Sequence, residues 1–277
     1  VHKQSYSKPF YKDPQLCKTC HNEFAPGTGA SIVNTYGEWE KSSFNNPSDP
    51  TKNRTCIDCH MHSDISKIGE GVPGQSTLRG PMKKNVVSHQ FTGANHHLVG
   101  LRNKKLEKMS LELLRSSATI EQVLTAPNKL TVRVNNTGAG HALPTGVADF
   151  RQFWLEVSVT DANDKEIFTS GAVDKEGNVD PNARLFMKEF GDEKGKPAGL
   201  LFWRYAKLLS DTRIPADGYR DEIFTLPEGT LYPISVSTKL QYRIYPQWVT
   251  NAVKQAEPEL PDPPVIELKH IENNFSL

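Results

Sequence analysis

The chain has 277 residues, is 36% hydrophobic and carries a net charge of +1, a length sufficient for two domains. The balanced charge gives no footing for nucleic-acid binding or for a polybasic membrane contact. No run approaches the roughly 18 apolar residues of a membrane span.

The chain begins VHKQSYSKPF, without an apolar h-region, and reads as mature protein after signal removal. The first chemistry-bearing run is CKTCHNEF, from Cys17, and the second is CIDCHMHSD, from Cys56. All 4 cysteines of the chain lie in these two runs. Each has the pattern Cys-x-x-Cys-His, the attachment signature of a c-type haem. Two thiols three residues apart reach the two vinyl groups along one haem edge, and the next histidine falls under the iron as proximal ligand. This assigns Cys17, Cys20 and His21 to one haem, and Cys56, Cys59 and His60 to a second.

Three other readings compete: a zinc site, disulfides and a redox Cys-x-x-Cys. Zinc knuckles are usually separated by roughly 15–20 residues, far less than the distance from Cys20 to Cys56. A thioredoxin-like motif would lie between a strand and a helix, and neither flank has that character. A histidine directly after both pairs is unexpected by chance with only 9 histidines in the chain. Two covalent haems are therefore expected, with the compartment periplasmic or extracellular, where bacteria attach such haem.

Residues 1–100 are loop-rich, with turn-forming stretches NPSDPTKN and GEGVPGQSTLRGP and little apolar periodicity. Two macrocycles would supply the apolar mass such a segment lacks. One helix is predicted over about Leu101–Ser117, with Leu106, Met109, Leu113 and Leu114 near a 3.6 period. After Pro127 the pattern changes to alternation. KLTVRVNN places Leu130, Val132 and Val134 on one face, and Phe153, Leu155, Val157 and Val159 follow in period two before a turn at Asp161–Asp164. DEIFTL, LYPISVSTKL and QYRIYPQWV are further strand candidates. The Pro-rich tail from Glu257 suits an extended arm or an edge strand. The expected class is α+β: a loop-rich dihaem domain over 1–126 with one or few helices, then an antiparallel β-sandwich over 127–277 ending in the arm.

Each iron needs a second ligand if it is to be closed. His89, in VVSHQFTGANHH, follows the second motif by a loop long enough to wrap its haem. His141, in NTGAGHALPTG, occupies a glycine-flanked loop able to cap a haem. These two are the favoured distal ligands, with His96, His62 and His2 in reserve. His62 is too close to His60 to cross its own haem, but is able to serve the other one. Bis-histidine haems have lower potentials than those with an axial methionine. Trp154, Phe202, Trp203 and Tyr205 are read as β-sandwich core or edge, not as an electron relay.

CIDCHM followed by SHQFTGAN resembles the multihaem c-type cytochromes of respiratory bacteria and archaea, in which a His-x-Phe segment supplies a haem ligand. NTGAGHALPTG, FRQFWLEVSVTDANDKEIFTSG and DTRIPADG are similar to a β-domain found C-terminal in many of them. One departure is His62, which stands where the family often has proline. The resemblance implies electron transfer between redox partner proteins, with the β-domain for docking or assembly. It also suggests a homo-oligomer or extracellular filament built through His2 and the C-terminal arm. The alternative is a haem enzyme, a peroxidase or a nitrogen- or sulfur-oxyanion reductase, with one open five-coordinate iron. A purely structural or adhesive protein would leave two attachment sites without purpose.

Overall fold

The computed structural model describes residues 8–277; His2 and the assembly role expected of it lie outside them. Short elements make up the first part of the chain. Helix α1 (Gln15–His21) is followed by an antiparallel pair, β1 (Glu23–Phe24) and β2 (Ser31–Val33), then α2 (Thr35–Glu40) and α3 (Cys56–His60). A hairpin of β3 (Val72–Gln75) and β4 (Met82–Val86) precedes α4 (His96–Gly100) and α5 (Lys104–Ser116). Among described residues up to 100, only Ala25, Ile32, Val33, Tyr36 and Trp39 are buried apolar side chains. Such a segment has too little apolar mass for an independent core.

Helix α5 begins at Lys104 because the Asn103 side chain accepts from the backbone N–H groups of Lys105 and Leu106, which trims the predicted helix by one turn. Its Met109 is buried, as the helical period requires.

The remainder is strand-rich: β5 (Ala118–Ala126), β6 (Lys129–Asn136), β7 (Gln152–Thr160), β8 (Glu166–Ser170), β9 (Arg184–Leu185), β10 (Lys188–Gly191), β11 (Lys207–Asp211), β12 (Tyr219–Thr225), β13 (Ile234–Arg243) and β14 (Ile266–Phe275). One antiparallel sheet has the order β12-β6-β5. The other runs β14-β13-β7-β8, with β9 also beside β7. The alternating residues of both meet in one core, Leu130, Val132, Val134 and Phe224 from the first sheet against Phe153, Leu155, Val157, Val236 and Leu240 from the second. The α+β class and the antiparallel sheets follow the alternation in the sequence.

Two features depart from the expectation, and the tail takes one of its two expected forms. Strand β5 pairs with β6 in a hairpin, so the three-stranded sheet begins at Ala118, before the change of pattern at Pro127. The candidates LYPISVSTKL and QYRIYPQWV form one strand, β13, and then helix α6 (Gln247–Lys254). Pro246 has no N–H for a ladder and a φ of −63° suited to helix entry, so the strand ends there. The tail is the edge strand β14, paired over its length with β13. Among the described residues no helix is long and apolar enough to cross a membrane.

Candidate haem site

Both Cys-x-x-Cys-His motifs are single helical turns. Helix α1 carries Cys17, Cys20 and His21, and α3 carries Cys56, Cys59 and His60, so each thiol pair shares a helix face at i, i+3. Helix α3 is too short to persist on propensity alone. It is fixed by a capping box in which the Asp58 carboxylate accepts from the Thr55 backbone N–H at 2.6 Å and the Thr55 hydroxyl at 2.9 Å. This gives Asp58, between the two cysteines, a local role.

The two motifs adjoin. All four thiols are free of disulfides, and those of Cys17 and Cys56 interact as neighbouring groups. The neighbouring Cys56 pushes the Cys17 thiol down to about 7 against the effect of burial, and Cys17 raises that of Cys56, which burial raises further. Burial pushes Cys59 up to about 11. Among the described residues, no group of three or more His, Cys, Asp or Glu side chains could hold a metal ion. The four thiols thus do not converge as a zinc site requires.

Two histidines distant in sequence face one another. The imidazoles of His60 and His141 have centroids 6.2 Å apart and planes 15° from parallel. A metal–imidazole bond is about 2 Å and a ring nitrogen lies about 1.1 Å from its centroid, so two trans imidazoles on one metal have centroids about 6 Å apart. In both rings Nδ1 is engaged, with the Thr92 carbonyl at 2.6 Å from His60 and the Ala142 carbonyl at 2.9 Å from His141. Neither Nε2 has a hydrogen-bond partner among the described residues. A ligating histidine has this arrangement, one nitrogen donating to a carbonyl and the other presented to the metal. Burial pushes His60 down to about 4, and lowers His141 as well. Both rings are therefore neutral at pH 7, the state that binds iron.

The loop that delivers His141 is fixed from both sides. Leu143 exchanges backbone hydrogen bonds with Ile214 at 2.8 and 2.9 Å, and the Asn136 amide donates to the His141 carbonyl at 2.7 Å. Gly140 allows this loop close to the N-terminal region: a Cβ there would lie 2.9 Å from Phe44 and 3.1 Å from Trp39. The glycine accommodates protein side chains, a packing requirement that sequence alone does not distinguish from approach to a cofactor.

The other predicted residues are distributed differently. His21 is exposed at the end of α1. His89 is also exposed, edge-on to Phe91 at 4.8 Å. His62 is 2% exposed, with Nδ1 2.6 Å from the Cys59 carbonyl and a buried, unpaired Nε2. His96 is fully buried against Tyr242, with neither ring nitrogen paired. His97, which the sequence reading left outside the favoured and reserve ligands, has a buried unpaired Nε2.

The fold resembles that in the crystal structure of a penta-heme cytochrome c552 from Thermochromatium tepidum, with a TM-score of 0.61 and 21% sequence identity over 96% of this chain and 57% of that one. The chain thus spans little more than half of the length of that cytochrome. No family model and no curated protein matches the sequence. At this identity the likeness is one of fold, shared along nearly the whole of the present chain.

Proposed function

We propose that this chain transfers electrons through two covalently attached c-type haems, held by Cys17, Cys20 and His21 and by Cys56, Cys59 and His60. The observation that carries this reading is the pairing of His60 with His141 at the separation of two axial ligands on one iron. The haem supplies one-electron chemistry, and the polypeptide supplies ligation, orientation and dielectric. Closing both faces of the iron leaves no coordination position for a substrate. The closeness of Cys17 to Cys56 supports neighbouring attachment sites, as exchange between two cofactors requires. With His141 facing His60, the second ligand at His21 would come from His89, with His62, His96 and His2 in reserve; of these, His62 has the carbonyl-pinned Nδ1 also seen in His60 and His141.

In this reading the protein works outside the cytoplasmic membrane, between redox partner proteins, with the β-domain as docking or assembly module. A homo-oligomer or filament would form through His2 and the C-terminal arm, whose β14 is a sheet edge able to take another strand. The exposure of His21 favours one second reading, an open iron there serving a haem enzyme. Optical and EPR spectra of the reduced and oxidised protein, with and without CO, decide between them. Two low-spin haems that take no CO are expected for the carrier; a high-spin component that binds CO in the wild type would establish the open site. His141→Ala is expected to convert one haem to a CO-binding form. If it leaves both haems low-spin, His141 is not the ligand.

A further inference from the structure

We propose that Glu38 is a positioning residue for this centre, holding His141 in register with His60 by gripping the peptide that orients the His141 ring. The inference rests on the reading of His60 and His141 as trans ligands. It starts from Ala142, whose backbone is used at both ends. Its carbonyl accepts from His141 Nδ1 at 2.9 Å, and its N–H donates to Glu38 Oε2 at 3.1 Å. The direction in which Nε2 points is therefore set by a residue that Glu38 holds.

Glu38 is itself tightly constrained. Oε2 also accepts from the Thr145 hydroxyl at 2.7 Å, and Oε1 accepts from Arg213 Nη1 at 2.7 Å. Arg213 is anchored in turn by Asp211 at 2.8 and 2.9 Å. The Glu38 and Arg213 side chains are only 12% and 8% exposed, so the charges are largely withdrawn from water and their geometry is fixed. Burial would raise the Glu38 carboxyl, but the Arg213 guanidinium and the Thr145 hydroxyl outweigh it and hold the group below the ordinary range. Glu38 thus remains an anionic acceptor at neutral pH.

The helix that carries Glu38 also touches the other side of the centre. On α2, the Trp39 indole donates to the Arg54 carbonyl at 2.8 Å, just ahead of the α3 cap that precedes Cys56 and His60. Successive residues of one short helix thereby hold the strand-domain loop bearing His141 and the segment that enters the His60 helix. The small residues of the loop fit this role, since a Cβ at Gly140 would strike Trp39 and Phe44. Glu38 touches neither iron nor histidine ring, so its effect is exerted through the Ala142 peptide.

The test uses the haem-loaded full chain as wild type and as Glu38→Ala, Glu38→Gln, Thr145→Val and His141→Ala. Haem content is measured first, then spin state by EPR and CO binding by the reduced protein. Glu38→Ala is expected to retain its haem but show a high-spin fraction and a CO adduct at one haem where the wild type forms none. Glu38→Gln should restore the low-spin state, because an amide oxygen still accepts from the Ala142 N–H. Thr145→Val, which removes the hydroxyl's bonds to Glu38 and to Thr35 and no charge, should fall between them. If His141→Ala opens an iron while Glu38→Ala and Thr145→Val are spectroscopically silent, the positioning role is overturned and the ligand assignment stands. If Glu38→Gln opens the iron as fully as Glu38→Ala, the acceptor geometry is not what holds the ligand. Should Glu38→Ala not accumulate as haem protein, a silent Thr145→Val overturns the proposal by itself. A silent His141→Ala overturns the reading beneath it.

Discussion

His96 shows how much a single buried side chain can add to the behaviour of this protein. Its ring lies fully buried beneath Tyr242 with both nitrogens unpaired, and burial first, then the neighbouring His97, pushes its pKa down to about 4. The unfolded chain would bind that proton near pH 6.5. Between about pH 6.5 and 4 the unfolded state therefore carries more protons, and stability falls as pH falls through that window. Above it the contribution is fully present. The loss expected from His96 is about 2 kcal/mol after allowance for solvent screening. Urea unfolding of wild type and His96→Phe at pH 7.5 and 4.5 checks this: the variant should lose less stability over the interval, and an equal loss would place the proton elsewhere. The Cys-x-x-Cys-His spacing was legible because it is local, whereas the burial that marks His62, His96 and His97 depends on what packs over them.

Among the elements, α3 has most to lose from one substitution. It is only 5 residues long, and its first turn depends on the two bonds that Thr55 donates to the Asp58 carboxylate. Thr55→Ala should cost about 1 kcal/mol, visible as a lowered melting temperature of the holo protein with its spin state unchanged. A melting temperature equal to that of the wild type would mean that α3 is held without its cap. Strands β6 and β7 could be read directly from alternation because one face of each meets the core. Strand β5 was not, since Gln122 stands on its inward face and the exposed Val123 on the other, which interrupts the alternation of Ala118, Ile120 and Leu124. Helix α6 was taken for strand because Val249 and Val253 lie four apart in a short run, too few turns for the period to show.

For the molecule as a whole, the two sheets share one core to which most of the large buried side chains belong. Leu240 on β13 is fully buried opposite Leu155 on β7, and Leu240→Ala is expected to cost about 2–5 kcal/mol through the cavity it leaves. Because α2 and the Ile214 bridge hold the His141 loop independently of that site, the haem spectrum should stay low-spin up to the unfolding transition. Urea titration followed by both tryptophan fluorescence and Soret absorbance checks this, with separate midpoints expected only if the centre opens first.

What the sequence determined unaided was covalent and periodic: two thiol–histidine triplets whose spacing is a property of one helical turn, and strands whose alternation is a property of the extended backbone. Which histidine faces His60, and that a glutamate on a six-residue helix grips the loop delivering it, were decided by tertiary structure. Those contacts join residues far apart along the chain. Their formation depends on the two sheets closing over a common core, a condition that no local pattern of residues expresses.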